Sequence, residues 1–212
     1  MRHGSITQLG DHQRVACVLQ QSDLELESLK RPDEGSDYLR VSPGISLDEF
    51  EFLIRERRGR EVAGVFGFDG NLLFAPKIGG SEEVQFSAIE VALISERATI
   101  THSHPEDYPL SLSDLLTAVA LDLAAIRAFG PTKVFSAKTP KKGWPTEQKL
   151  RNAYSRVIKS ANNDTREALI HHMGKLPDLE RRNLWLLSYT TLLTRELARI
   201  GVRQEVTDVI AK

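Results

Sequence analysis

Thr99-Ile100-Thr101-His102-Ser103-His104-Pro105-Glu106-Asp107-Tyr108-Pro109-Leu110-Ser111-Leu112-Ser113-Asp114 changes character halfway along. Its first six residues are rich in β-branched side chains and favour a strand. Pro105 stops that strand and turns the chain. Glu106 to Leu110 reads as a loop. Ser111 or Ser113 then caps a helix expected to run through Leu115, Val119, Leu123 and Ile126, whose spacing marks one apolar face. Phe129-Gly130-Pro131 supplies the Gly-then-Pro punctuation of a helix end. A strand handing over to an amphipathic helix points to an α/β fold.

Side chains two apart on a strand share a face. His102 and His104 therefore present two imidazoles in one direction. Asp114 opens the following helix, where its carboxylate can come back toward them. Two nitrogens and one carboxylate oxygen make a three-ligand zinc site with an open fourth position, the pattern of catalytic rather than structural zinc. Hydrolysis at such a site also needs a base outside the ligand set. Glu61 is the candidate, because it opens the apolar strand Glu61 to Phe68, expected to lie beside the His-bearing strand. Ser111 is a candidate donor to a developing oxyanion. Each piece alone has a simpler reading. Two histidines can decorate a strand surface, Ser-x-x-Asp is common where a helix is capped, and Glu61 can be an exposed strand end.

Upstream, Ser46-Leu47-Asp48-Glu49 has capping-box spacing, and a helix is expected from there to about Arg58, ending at Gly59. Asp69-Gly70 between the apolar runs Glu61–Phe68 and Asn71–Ala75 is a hairpin signal. Pro76 to Ser81 reads as a loop. Val84 to Ile89 fits a strand, although Ser87-Ala88-Ile89-Glu90 also resembles a helix start. Downstream, Lys133-Val134-Phe135-Ser136 reads as a short strand and Thr139 to Pro145 as a loop. Helices are expected at roughly 146–160, 165–173 and 178–200. In the last, Leu186, Thr190, Leu193 and Leu197 share a face, with Trp185 and Tyr189 beside them. Residues 1–45 show only two short apolar stretches, Val15–Leu19 and Leu24–Leu29, the second alternating like a strand.

The 212-residue length suits one domain with extensions or two small domains, and the chain is divided as an N-terminal extension 1–45, a segment 46–140 bearing the candidate zinc site and a helical 141–212. A hydrophobic share of 41% suffices for an ordinary core. No apolar run is long enough to span a membrane, and the first residues carry no secretory pattern. Cys17 is the sole cysteine, which suits a reducing compartment and hence a cytoplasmic protein. It sits in an apolar run and reads as a small buried hydrophobe. The net charge of -1 and the short basic runs near Arg55–Arg60 and Lys138–Lys142 carry no aromatic interleaving, so no nucleic-acid partner is expected. His171-His172 diverge by about 100° on a helix and do not suit one metal. His3 and His12 receive no role.

His102-Ser103-His104-Pro105 followed by Ser111-Leu112-Ser113-Asp114 resembles the JAMM motif of the JAB/MPN metallopeptidases. Glu61-Val62-Ala63-Gly64-Val65-Phe66-Gly67 resembles that family's upstream Glu strand. The likeness covers about residues 46 to 138. Nine residues separate His104 from Asp114, one fewer than in the better-known members, and both flanks are extra. The resemblance implies a JAB/MPN-like (cytidine-deaminase-like) curved mixed sheet flanked by helices, here with a C-terminal helical extension. It implies Zn2+ held by His102, His104 and Asp114, Glu61 as general acid/base and Ser111 as oxyanion support. Family members hydrolyse peptide or isopeptide bonds, often at the tail of ubiquitin-like proteins, so a protein or peptide substrate is implied. Bacterial and phage relatives include RadC-like, tail-assembly and toxin-associated domains. The alternatives are a non-hydrolytic RadC-like scaffold or nucleic-acid-associated module, and a zinc enzyme acting on a small amide. The helical extension is a candidate surface for a partner protein or for self-association.

Overall fold

The computed structural model describes residues 38–55, 60–80, 84–94, 97–104, 106–171 and 177–209. Readings made on Cys17, His3, His12, the two N-terminal apolar stretches, the helix end at Arg58-Gly59, Pro105 and His172 lie outside them. The described chain is an α/β structure built on one six-stranded mixed sheet.

Helix α1 (Leu47–Arg55) starts as its capping box requires. The Ser46 amide donates to Glu49 Oε2 at 2.9 Å, and the Glu49 amide returns to Ser46 Oγ at 3.3 Å. Strand β1 (Val62–Phe66) follows and is buried at every position. The Asp69-Gly70 turn forms as expected, with Gly70 at φ +79 and the Gly67 amide donating to Asn71 O at 2.8 Å. The return leg first touches β1 at a single Phe66–Leu72 bridge, and regular pairing resumes only at β2 (Lys77–Ile78). The expected loop over Pro76–Ser81 thus contains a strand. Pro76, just before β2, has no amide to donate to a ladder.

The ambiguous segment after Val84 is helix α2 (Ala88–Leu93), opened by a Ser87/Glu90 capping box. Strand β3 (Thr99–Ser103) pairs antiparallel with β1 and parallel with β4 (Ala125–Phe129). Helix α3 (Leu112–Ala120) links them. Here the expected helix through Leu123 and Ile126 is corrected. The chain leaves the helix at Leu121, turns at Asp122 with φ +45, and Ile126 lies in β4. Leu121 to Phe129 is nearly all apolar because β4 is a central strand covered on both faces, and such a run does not distinguish helix from strand. Gly130-Pro131 consequently closes the β4–β5 hairpin, not a helix, and the Gly130 amide donates to Lys133 O at 2.8 Å.

Strand β5 (Lys133–Lys138) is followed by two long helices, α4 (Glu147–His171) and α5 (Asp178–Arg199), where three were expected. The weak helix formers around Asn162–Asp164 do not break α4. Trp185 donates to Asn162 Oδ1 at 2.9 Å and Ser188 to Asp164 Oδ2 at 2.6 Å, so α5 braces the segment. A last strand, β6 (Gln204–Asp208), which the sequence reading missed, pairs with β5 and edges the sheet.

The strand order is β2-β1-β3-β4-β5-β6. One sheet face packs Val65, Ile100, Ile126 and Phe135 against apolar residues of α3, α4 and α5. The other packs Val62, Phe66 and Phe129 against Phe50 and Ile54 of α1. The helical segment after residue 140 thus fills the main core, and its last strand extends the sheet. Among the described residues no helix is long and apolar enough to cross a membrane.

Candidate metal centre

His102 lies one residue before the end of β3, beside Ala63 of β1, and His104 follows just past the strand. The structure brings both rings together with Asp114, and these three residues form a group that could hold a metal ion. One ligand atom from each lies within 4.8 Å of the others. His102 Nε2 and His104 Nε2 face each other at 2.9 Å. Asp114 Oδ1 stands 3.3 Å from His102 Nε2, and Oδ2 3.9 Å from His104 Nε2.

Asp114 reaches back because of how α3 begins. Ser111 is the N-cap. Its Oγ accepts the Asp114 amide at 3.1 Å, and its own amide donates to Asp114 Oδ2 at 2.6 Å. The capping box that starts the helix therefore also turns the carboxylate toward the histidines. Capping and a place in the His102–His104–Asp114 group, competing explanations in the sequence, are compatible in one geometry here.

The imidazoles are oriented from behind. His104 Nδ1 lies 2.9 Å from the Tyr108 carbonyl. A carbonyl only accepts, so Nδ1 carries the proton and Nε2 keeps its lone pair for the centre. The Arg127 backbone favours the charged form of the His102 ring. The donor set fits a small N/O-seeking ion. Zinc–nitrogen bonds of about 2.0–2.1 Å put two tetrahedral ligands roughly 3.3 Å apart. The 2.9 Å Nε2 pair needs to open by only about 0.4 Å to match that spacing.

Electrostatics follows the same layout. Burial alone would hold the His102 pKa down, but the Asp114 charge and hydrogen bond, the Glu61 charge and the Arg127 backbone together raise it. His104 is lowered to about 4 by burial and by His102, against the pull of Asp114 and the Tyr108 backbone. Asp114 is lowered to about 2 because burial is outweighed by His102, His104 and the Ser111 amide. At neutral pH the site thus offers a carboxylate and a lone pair on His104. The side chains of His102, His104 and Asp114 are only 8%, 9% and 17% exposed, so approach is narrow.

Glu61 is buried immediately before β1. The pairing of Ala63 with His102 and the two-residue period put Glu61 on the face that carries His102, one step beyond it toward His104. The Val62 amide beside it donates to Ser103 Oγ at 2.9 Å. Thus Ser103, between the two histidines, turns to the opposite face and ties down the start of the Glu61 strand.

The sequence reading missed the supports. Tyr108, Arg127 and Asp107 act through backbone groups or across the fold. From α5, Arg182 Nη2 donates to the Tyr108 hydroxyl at 2.7 Å and also to Glu106. Tyr189 on the same helix is pushed up to about 12 by burial and by the Asp114 charge. Asp107 and Tyr108, three and four residues past His104, lay close enough in sequence to be suspected, but their partners did not. Two surface clefts of about 620 and 600 Å³ lie elsewhere, around Arg40–Ile45 and around Phe68 and Arg97. No family model, curated protein or solved structure matches the chain.

Proposed function

We propose that the protein is a zinc-dependent hydrolase of the JAMM type, acting on a peptide or isopeptide bond of a protein substrate. One observation carries this reading: two imidazole nitrogens and a carboxylate converge at one point, with a buried carboxylate, Glu61, on the same sheet face but outside the ligand set. His102, His104 and Asp114 would hold the ion. Bound zinc in an open three-ligand site lowers the pKa of a coordinated water to about 7 and polarises a carbonyl.

The chain supplies the rest. Glu61 takes a proton from the attacking water and returns it to the leaving nitrogen, for which its place beside the His pair suits it. Ser111 spends its oxygen as an acceptor in the helix cap, leaving the hydroxyl hydrogen to point at a substrate oxyanion. The shielded ligand side chains exclude bulk water, which strengthens these interactions. The same shielding favours a slender substrate, either an extended tail or, as a second reading, a small amide. No membrane partner enters this scheme, and a reducing, cytoplasmic setting suits the lone cysteine.

The test uses purified full-length protein, zinc analysis and a panel of peptide-linked and isopeptide-linked reporters. Near-stoichiometric zinc is expected. Glu61→Gln should keep the zinc and lose about 10²- to 10⁴-fold in turnover. A Glu61→Gln variant as fast as wild type would remove the proposed role of Glu61. Wild-type protein that takes up no zinc on reconstitution would favour the non-hydrolytic scaffold.

A further inference from the structure

The bridge from His104 to Ser111 is short, and its middle is fastened to a different part of the sheet. Asp107 Oδ1 accepts the amide hydrogens of Thr132 at 2.9 Å and Lys133 at 3.0 Å. Oδ2 accepts the Thr132 hydroxyl at 2.5 Å. One carboxylate thus holds the β4–β5 turn by three donors. Gly130 completes the joint from below. A Cβ there would lie 2.5 Å from Asp107 Oδ1 and 3.1 Å from both Asp107 Cα and Glu106 O, so the bridge rests directly on the glycine backbone.

The consequence reaches the next residue. The Tyr108 amide donates to Glu106 O at 2.8 Å, a tight turn centred on Asp107. With Asp107 anchored, the Tyr108 carbonyl is delivered to His104 Nδ1 at 2.9 Å. His104 is also tied to this end of the sheet, its amide donating to Phe129 O at 2.9 Å. The ring and the carbonyl that orients it are therefore referenced to the same β4–β5 turn. We infer that Asp107 is a positioning residue of the metal centre, which fastens the bridge so that the Tyr108 carbonyl fixes the tautomer and aim of His104, a role that rests on the metal-centre reading above. Groups that orient a metal-binding histidine from behind commonly matter about 10- to 100-fold in metal affinity.

A merely structural brace would lower stability and leave the affinity of folded molecules alone. The experiment therefore measures zinc dissociation constants by chelator competition, the visible spectrum of the cobalt(II)-loaded protein, and urea unfolding of metal-free protein. Asp107→Ala is expected to weaken zinc about 10- to 100-fold and to shift the cobalt spectrum. Asp107→Asn keeps an oxygen for both amides and should stay within about threefold of wild type, since the aim of His104 is retained. Gly130→Ala leaves all three donors in place but pushes on Asp107, and should weaken zinc in the same direction. If Asp107→Ala does not fold, Gly130→Ala and Thr132→Ala, which removes only the hydroxyl donor, decide the matter. Zinc affinity and cobalt spectrum unchanged in folded Asp107→Ala, or in both replacement variants, would overturn the inference. Wild-type protein that binds no zinc would instead overturn the metal-centre reading itself.

Discussion

Strands β3 and β4 carry buried polar groups on both faces, and the two sets are finished differently. On the α1 face, Glu51 is 3% exposed and accepts from Arg127 Nε at 2.5 Å, Arg127 Nη2 at 2.8 Å and Thr101 Oγ1 at 2.8 Å. Charge meets charge, with every contact a donor on an acceptor. On the other face, His102 and His104 bring two like nitrogens to 2.9 Å, with a carboxylate beside them. At most one proton can sit between those nitrogens. Burial is severe on both faces, so the difference lies in satisfaction. A set that completes itself holds the fold together, whereas a set of two imidazole nitrogens and a carboxylate converging on one point could hold a metal ion. Arg127 bears on both faces: its side chain pairs with Glu51 on one, and its backbone favours the charged form of His102 on the other.

Three experiments press on that contrast. Glu51→Ala strands the partly buried Arg127 charge and should cost about 3–5 kcal/mol in urea unfolding, as for other broken buried pairs. Replacing both, as Glu51→Leu with Arg127→Met, should recover much of the loss. A cost below about 1 kcal/mol for Glu51→Ala would show that the pair is not a structural tie. Next, zinc at about a thousand times its dissociation constant should stabilise wild type by about 4 kcal/mol, and chelation should reverse it. His104→Ala should abolish most of that increment. If metal-free His104→Ala lost as much stability as Glu51→Ala, the metal face would be structural after all. Finally, Gly64 of β1 lies under the Phe50 ring, where a Cβ would stand 2.6 Å from Phe50 Cε1. Gly64→Ala should cost about 1–3 kcal/mol by overpacking the α1 face. Its effect on zinc affinity should be small, and a large one would mean that α1 steers the metal face directly.

Much of the candidate metal centre was legible because its three residues are close in sequence. The strand period aligned His102 with His104, and the Ser111-to-Asp114 spacing announced a cap that also aims the carboxylate. Glu61 was legible as a strand opener, while its place beside the histidines needed the β1–β3 register. The supports were not legible. Glu51 and Arg127 are 76 positions apart, and Asp107 meets its donors 25 and 26 positions on. No local pattern reports a contact of that range. Strand β4 was hidden by double burial, and β6 by its brevity and polar composition, since only its pairing with β5 makes it a strand.

By itself the sequence determined what one turn or one strand can encode: the helix caps at Ser46 and Ser111, the Asp69-Gly70 turn, the two imidazoles on one face and the class of ligand that two nitrogens and a carboxylate suit. Those features rest on backbone geometry and hydrogen bonds a few residues long. The tertiary structure alone decided that Leu121–Phe129 yields a strand, that α4 runs unbroken through Asn162–Asp164, and that Asp107, Tyr108 and Arg127 stand behind the histidines. In each case the deciding energy comes from partners brought together by packing: a covered sheet face for β4, the bracing side chains of α5 for α4, and the β4–β5 turn for the bridge that aims His104.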